Sequence, residues 1–268
     1  MIRDTIPADH PRAKSLRIRE KLVEEFHSGV VAEVGLMAHG RGEAFDYILG
    51  EKTSKNALDA IRAAAALLLI AKKPVVSING NAAALAALEL VKLAGIVNAK
   101  LEVNLFYRSV EREEAIKTLL QKAGAQEVLG TEPEESAVIP ELSSERRHVD
   151  RRGILVSDVV LVPLEDGDRT EALVRMGKKV IAIDLNPLSR TAKEATITIV
   201  DNIVRAAPKL SETAVTFKES KKNRLQRIVS RFDNDKNLTA ALVAIQKNLS
   251  EATEKARTIS FGEKHDGL

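Results

Sequence analysis

Short apolar runs alternate with longer helical segments along much of this chain. Residues 75–78, 159–164 and 180–183 are almost wholly apolar and rich in β-branched side chains, as expected of strands buried on both faces. A segment of helical length separates the last two runs, and strands joined in that way run parallel. The pattern therefore predicts an α/β fold with a parallel sheet flanked by helices.

The rest of the pattern predicts helical segments at both ends of the chain and further elements between them. Threonine and isoleucine alternate over residues 196–199, which predicts a partly exposed strand near the edge of the sheet. Pro208 is expected to limit the helix that follows this strand. Three glycines between residues 35 and 42 are expected to interrupt the segment that contains them. The polar residues 130–144 are expected to form a long loop or an excursion from the sheet. One more strand is predicted over 101–106, and helices over 11–26, 56–71, 82–94, 113–123 and 225–257, the last interrupted near residue 233.

Composition and charge exclude several classes of function. The 268 residues include 41 Lys and Arg and 38 Asp and Glu, so the charges nearly balance and give no basic stripe for nucleic acid. The absence of cysteine excludes disulfides, thiolate catalysis and cysteine metal sites. The N-terminus lacks the apolar core of a secretory signal, and the longest apolar stretch, residues 61–71, is too short to span a bilayer. A cytoplasmic protein without nucleic-acid or membrane partners is expected.

Common catalytic and nucleotide-binding motifs are absent from the sequence. It contains no GxxxxGK[ST], GxGxxG, GxSxG or HExxH pattern, and its five histidines have no zinc-ligand spacing. What remains is a set of polar clusters at the ends of predicted strands. Because ligands bind where the strands of an open parallel sheet end, these clusters are expected to share one site. They are Asn79-Gly80-Asn81, Asn104 with Tyr107 and Arg108, Glu165-Asp166-Gly167-Asp168-Arg169, and residues 184–191.

Most of these clusters also have a purely structural interpretation, and the sequence leaves the choice open. Asn79-Gly80-Asn81 is either an anion-binding turn or a simple cap for the next helix. Asp168 is placed to cap a helix, but three carboxylates in four residues also suit a hydrated Mg²⁺. For Asp184 and Arg190 function is favoured, since a carboxylate accepts from a ribose hydroxyl and an arginine binds phosphate. The arginines of the first helix are either solvated or reach an anionic ligand.

Several long strings of the chain carry a resemblance to a known family. They are HPRAKSLRIRE, GLMAHGRGEAFDYILGE, PVVSINGNAAAL, LEVNLFYR, VVLVPLEDGDRTEALVRMGK and VIAIDLNPLSRTA followed by ITIVDNIVRA. In these strings the chain resembles the archaeal phosphopantothenate synthetases, also called 4-phosphopantoate–β-alanine ligases. The resemblance implies a homodimer with a Rossmann-like core. It also implies an enzyme that joins 4-phosphopantoate to β-alanine with ATP, releasing AMP and pyrophosphate, on the archaeal route to coenzyme A.

The resemblance, together with the clusters, predicts the site residues. Arginines and Mg²⁺ are expected to carry most of the catalysis, with Arg41 and Arg190 as the catalytic residues. The resemblance implies that ATP is held by Arg19, Arg41, Asp184, Leu185, Asn186, Arg190, Thr191, Asn202 and Ile203. Further substrate contacts are expected from Arg17, His39, Asn79, Asn81 and Arg108. The candidates for holding Mg²⁺ are Glu165, Asp166 and Asp168.

The expected mechanism is adenylation of the acid substrate. The phosphopantoate carboxylate attacks the α-phosphate of ATP, and the amine of β-alanine then attacks the mixed anhydride, so no protein nucleophile is needed. Two alternatives remain: an NAD(P)-linked oxidoreductase, against which the missing glycine fingerprint argues, and a non-enzymatic dimer that binds nucleotide or nucleic acid. One domain is expected over residues 1–268, with an N-terminal helical segment (1–72), a Rossmann-like core (73–210) and C-terminal helices (211–268).

Overall fold

Helices and one central sheet make up most of the protein. The computed structural model describes residues 6, 7 and 9–262. The helices in this part of the chain are α1 (Ala13–His27), α2 (Glu33–Leu49), α3 (Lys55–Ile70), α4 (Gly80–Val97), α5 (Val110–Lys122), α6 (Gly167–Arg175), α7 (Arg190–Glu194), α8 (Ile203–Phe217), α9 (Lys222–Arg231) and α10 (Asn234–Gly262). The strands are β1 (Pro74–Ile78), β2 (Lys100–Val103), β3 (Ser136–Val138), β4 (His148–Asp150), β5 (Val159–Pro163), β6 (Lys179–Ile183) and β7 (Ile197–Ile199).

Five strands form one parallel sheet in the order β2-β1-β5-β6-β7. The chain passes outward from β1 to β2 and then returns to pair β5 on the other side of β1. The strand order therefore reverses between β1 and β5. In doubly wound sheets ligands bind at such a reversal, beyond the carboxyl ends of the strands. The predicted α/β fold with a parallel sheet flanked by helices is confirmed.

Both faces of the sheet are buried, which explains why the strands are so uniformly apolar. In β5, Leu161 packs into a core that includes residues of α3, α4 and α8, whereas Val160 and Val162 pack on the opposite face with residues of α6. The edge strand β7 is also fully buried. Because α3 and α10 pack against it, the expected partial exposure of this strand is wrong.

One helix in the described part of the chain, α4, is long and apolar enough to cross a membrane by length and composition. Most of α4 is buried inside the protein, where it packs against α8, α5 and β1. Burial of this kind is typical of the core helix of a soluble protein. Asn79 caps its start by accepting a hydrogen bond from the N–H of Ala82 at 3.0 Å.

Tertiary packing overrides two local predictions about helix breaks. The three glycines between residues 35 and 42 lie inside α2 and do not interrupt it. A helical glycine costs about 1 kcal/mol, and contacts of buried side chains such as Asp46 and Leu49 offset that cost. Pro208 does not limit α8, because the buried face of this helix continues beyond it through Leu210 and Ala214.

The structure also adds detail to the sequence prediction at the start of α6 and in the segment between β2 and β5. Helix α6 begins at Gly167 with Asp166 at the N-cap position, so Asp168 lies in the first turn and does not cap the helix. Residues 130–144, for which a long loop or an excursion from the sheet is predicted, contain β3, which pairs antiparallel with β4 apart from the five-stranded sheet. We call residues 130–156, which leave the sheet and return to it, the excursion. Its path brings a short 3₁₀ turn, Glu145–Arg147, back to the sheet.

Candidate functional site

A cavity of about 310 Å³ lies where the strand order reverses. We call it the strand-end cavity, since its walls come from α2, the start of α4 and the segments that follow β1, β2, β5, β6 and β7. Asn79 joins the two central strand ends there, donating hydrogen bonds to the carbonyls of Pro163 (2.8 Å) and Leu164 (3.0 Å). Each of the four polar clusters found in the sequence therefore contributes at least one residue to the wall of this cavity.

The structure divides the predicted site residues into those that line the cavity and those behind or beside it. The lining residues are His39, Arg41, Asn79, Asn81, Asp166, Leu185, Asn202 and Ile203. The predicted residues outside the lining are Arg17, Arg19, Arg108, Glu165, Asp168, Asp184, Asn186, Arg190 and Thr191.

Helix α2 forms one wall, and an ion pair fixes it to α1. Glu43 accepts hydrogen bonds from Arg19 Nε (2.9 Å) and Nη2 (2.6 Å) and from the Tyr47 hydroxyl (2.8 Å). Burial raises the pKa of the Glu43 carboxyl, but these hydrogen bonds outweigh burial and leave the pKa below its ordinary value. Arg19 therefore reaches the cavity rim through Glu43, whereas Arg17 is an exposed residue of the same helix.

His39 lies on the same wall and stays without a charged partner. Its Nε2 atom is buried and has no hydrogen-bond partner within the part of the chain that the structure describes. Burial lowers the pKa of His39, and this effect exceeds the opposing attraction of the Glu43 carboxylate. The imidazole is therefore neutral at pH 7 and able to accept a proton.

Asp184 lies at the end of β6, behind Leu185. Its carboxylate accepts hydrogen bonds from the N–H of Asn186 (2.9 Å) and from the Ser189 hydroxyl. Burial raises the pKa of Asp184, and both hydrogen bonds and the positive charge of Arg41 oppose that rise. Arg41, which lines the cavity, therefore acts electrostatically on this carboxylate, which lies outside the lining.

Residues at the start of α7 pack against the segment that follows β5. A Cβ atom on Gly167 would lie 2.6 Å from the Cβ of Arg190, so only glycine leaves room for this arginine. Thr191 donates a hydrogen bond to the backbone carbonyl of Glu165 at 2.8 Å. Arg190 and Thr191 therefore lie beside the segment that follows β5 and outside the lining of the cavity.

Asn202 lines the cavity, but its side chain is already used to join two helices. It caps α8 through the N–H of Val204 (3.2 Å) and donates to the carboxylate of Asp46 on α2 (2.8 Å). Arg205 also pairs with Asp46. The C-terminal half of α2 is therefore held to α1 through Glu43 and Arg19, and to the start of α8 through Asp46.

Two of the three carboxylates proposed for a metal ion, Glu165 and Asp166, have arginine partners. Glu165 is almost fully buried between Arg146 (2.9 Å) and Arg169. Asp166 accepts from Arg146 Nε at 2.8 Å, and it lines the cavity. Burial raises the pKa of Asp166, which Arg146 opposes. Among the described residues, no group of three or more His, Asp or Glu side chains is arranged to hold a metal ion.

Two arginines that the sequence analysis did not select, Arg112 and Arg146, line the cavity. Arg112 donates to the backbone carbonyls of Val30 (3.1 Å) and Tyr107, and no carboxylate in the described chain pairs with it. Burial lowers the pKa of Arg112, and so does the positive charge of Arg146, which lines the same cavity. Arg108, which the sequence analysis did select, is instead paired with Glu113.

With this geometry in place, comparison with known proteins decides the family. The family model described as phosphopantothenate/pantothenate synthetase matches residues 56–248, more than half of the chain. The chain belongs to this family. Two relatives, from Thermococcus onnurineus and Thermococcus kodakarensis, are 54% and 53% identical, each over 93% of this chain and 95% of its own length. A relative from Methanosarcina mazei is 51% identical over 91% of this chain and 95% of its own length. All three are named 4-phosphopantoate–β-alanine ligase.

The phosphopantothenate synthetase family predicted from the sequence strings is thus confirmed, and with it a ligase of coenzyme A synthesis. A ligase of this family uses ATP as co-substrate. The oxidoreductase and non-enzymatic alternatives lose their support, since the matches cover nearly the whole chain and name one activity.

Proposed function

We propose that this protein condenses 4-phosphopantoate with β-alanine to 4-phosphopantothenate, consuming ATP and releasing AMP and pyrophosphate. The names of relatives that are 51% to 54% identical support this activity. The observation that carries the proposal is that guanidinium groups from three separate elements (Arg41, Arg112 and Arg146) line one cavity at the strand reversal. Three cations around one cavity suit a reaction between a triphosphate and a phosphorylated acid.

In this proposal ATP occupies the side of the cavity formed by α2, β6 and β7. The ribose hydroxyl is assigned to the carboxylate of Asp184, which Asn186 and Ser189 hold next to the lining residue Leu185. Arg41 is near this carboxylate and carries the positive charge that a phosphate needs. The other residues assigned to ATP are Arg19, Leu185, Asn186, Arg190, Thr191, Asn202 and Ile203.

The phosphate of 4-phosphopantoate is assigned to the opposite side, between Arg112 and Arg146. Two like charges near each other favour a dianion between them, which relieves their repulsion. Arg112 is available for this role, because its described partners are backbone carbonyls. His39, Asn79 and Asn81 also line the cavity and remain candidates for substrate contact. Arg17 and Arg108 stay predictions without a contact that supports them.

The donor set leaves one candidate for holding Mg²⁺. Mg²⁺ is bound through one or two carboxylates together with substrate phosphates, and Asp166 is the candidate carboxylate that lines the cavity. Glu165 is enclosed by two arginines, and Asp168 does not line the cavity. When bound, Mg²⁺ would supply positive charge that neutralises the substrate phosphates.

The chemistry follows from this placement. The carboxylate of 4-phosphopantoate attacks the α-phosphate of ATP, and pyrophosphate leaves with its charge stabilised by Arg41 and Arg190. The amine of β-alanine then attacks the acyl-adenylate carbonyl and displaces AMP. Alignment of two anionic substrates is the main task of the site, since each needs its own cations to approach the other.

Three further assignments complete the proposal. The protein acts in the cytoplasm as a homodimer, and residues 1–268 form a single domain with the three segments predicted above. Light scattering coupled to gel filtration tests the dimer, for which a mass near twice 29.2 kDa is expected. A mass near 29.2 kDa would contradict it.

Product analysis tests the proposed activity directly. We expect purified protein with ATP, 4-phosphopantoate and β-alanine to form AMP, pyrophosphate and 4-phosphopantothenate in equal amounts. Arg190→Ala should reduce this activity by ~10²-fold or more while the protein stays folded, because a preorganised charge at the transition state is lost. Arg175→Ala, at an exposed position of α6, is the matched control. Production of ADP and phosphate, or full activity of Arg190→Ala, would refute the assignment.

A further inference from the structure

The proposed second step requires a group that accepts a proton. The amine of β-alanine resembles that of a lysine side chain and is protonated near neutral pH, so it lacks a free lone pair. The amine must lose a proton before it can attack the acyl adenylate. The acidic and imidazole side chains that line the strand-end cavity are His39, Glu43 and Asp166.

Two of these three groups are already engaged. Glu43 is held by Arg19 and by the Tyr47 hydroxyl, and Asp166 is held by Arg146 at 2.8 Å. Protonation of either carboxylate would break its ion pair with a guanidinium, so neither group is free to take a proton from an incoming amine. His39 differs from both, since its Nε2 is buried and no atom of the described chain satisfies it.

We propose that His39 is the catalytic base that takes a proton from the β-alanine ammonium group. This inference rests on the proposed ligase function. The ammonium proton passes to Nε2 of His39, and the freed lone pair forms the C–N bond at the acyl-adenylate carbonyl. The bond from that carbonyl to the AMP phosphate oxygen breaks. The second nitrogen proton leaves with AMP, and the imidazolium returns its proton to solvent.

The surroundings of His39 keep it neutral and ready for this role. Arg41, Glu43 and Asp46 belong to its own helix, and Arg19 approaches from α1. Across the cavity the lining includes Asp166, Arg112, Arg146 and Tyr107. Burial lowers the pKa of the imidazole and the charge of Arg19 lowers it further, while the carboxylates of Glu43 and Asp46 oppose the shift without cancelling it. A base that is unprotonated at working pH is what general-base catalysis requires.

The two half-reactions allow a decisive test with His39→Gln. Exchange of labelled pyrophosphate into ATP in the presence of 4-phosphopantoate reports adenylation, which needs no amine. Amide formation is measured with β-alanine and, separately, with hydroxylamine, a nucleophile that is uncharged near neutral pH. We expect His39→Gln to reduce the β-alanine rate by ~10²-fold or more, as loss of a general base does, and to affect exchange and the hydroxylamine rate far less.

The pH profile and a control variant complete the experiment. The wild-type β-alanine rate should fall as the pH drops through the lowered pKa of His39, and this acidic limb should be missing in His39→Gln. His27→Gln, at an exposed position at the end of α1, should match the wild type in every assay. The inference would be overturned if His39→Gln lowered the β-alanine and hydroxylamine rates equally. It would also be overturned if His39→Gln lowered pyrophosphate exchange as much as amide formation. Wild-type protein without any exchange would instead overturn adenylation itself.

Discussion

Replacing Arg169 by methionine tests the buried support behind the cavity. Arg169 has no exposed surface, and its guanidinium pairs with Glu165 and donates to the Ser77 hydroxyl at 3.0 Å. Glu165 in turn holds Arg146, which lines the cavity. The substitution keeps much of the side-chain volume but removes one of the two cations that compensate a buried carboxylate.

The structure sets the magnitude of this effect. Removing one partner of a buried ion pair costs about 3–5 kcal/mol, because the remaining charge is left without compensation. Arg146 still pairs with Glu165, so we expect the lower end, about 3 kcal/mol. That value corresponds to a roughly 100-fold shift of the unfolding equilibrium. Glu165, which holds Arg146 in place, also loses its contact with Arg169. The KM for 4-phosphopantoate should therefore rise more than the KM for ATP.

Urea unfolding at pH 7 measures the difference against a matched control. Arg175→Met makes the same substitution on the same helix, where Arg175 is 66% exposed and pairs with Glu171 one turn away. An exposed pair contributes about 0.2–1 kcal/mol, so the control should lose no more than that. If Arg169→Met were no less stable than Arg175→Met, the buried network would not support the fold as argued.

Three other predictions concern the substrate cations, the wall of the cavity and the excursion. Arg112→Ala should lower kcat/KM for 4-phosphopantoate in steady-state assays by about 10- to 100-fold, because a hydrogen bond to a charged group is lost. Arg108→Ala should have a smaller effect. Equal effects of the two substitutions would contradict the phosphate assignment. Gly35→Ala should cost about 1–3 kcal/mol in thermal or urea unfolding, since its Cβ would lie 2.4 Å from the Asn81 side-chain oxygen, and an unchanged unfolding free energy would refute that packing. Burial raises the pKa of Glu102 to about 7 from 4.5, so the stability that this group contributes is fully present below pH 4.5 and is lost as the pH rises through 7. Glu102→Gln should abolish this pH-dependent loss of stability. If urea unfolding gave the same change in unfolding free energy between pH 4.5 and 8 for both proteins, the shifted pKa of Glu102 would be contradicted.

The location of the site could be predicted from the sequence because it depends on topology. Apolar strands such as 159–163 identify a parallel sheet, and polar residues at their ends mark the rim where ligands bind. Asp184 and Arg41 come from distant parts of the chain, yet both lie at that rim in the structure. The activity is predicted from the sequence strings that resemble the family, because a pattern of strands carries no information about the reaction.

The two arginines of the phosphate side could not be predicted, because buried polar contacts set the path of the excursion. Glu102 accepts hydrogen bonds from the backbone N–H groups of Asp150 (2.9 Å) and Ile154 (2.5 Å), and Asn104 donates to the carbonyl of Arg146 (3.1 Å). Such contacts leave no periodic pattern in the sequence, so the sequence predicts only a polar loop or an excursion from the sheet for this segment. Arg112 lies inside a helix whose amphipathic pattern gives no sign that this arginine faces a cavity.

Helix α2 illustrates the same limit for secondary structure. Its glycines predicted a break, but Glu43 and Asp46 are bound by arginines of α1 and α8 and hold the segment helical. The resulting wall presents His39 and Arg41 together to the cavity. Long-range ion pairs of this kind are invisible to a local pattern.

A structure of the protein with ATP and 4-phosphopantoate bound tests the central claim most directly. The account predicts both ligands in the strand-end cavity, with the triphosphate beside Arg41 and the phosphate of the acid between Arg112 and Arg146. The carboxylate of the acid should then face the α-phosphate of ATP. Ligands bound elsewhere on the protein, or an acid phosphate far from both arginines, would contradict the account.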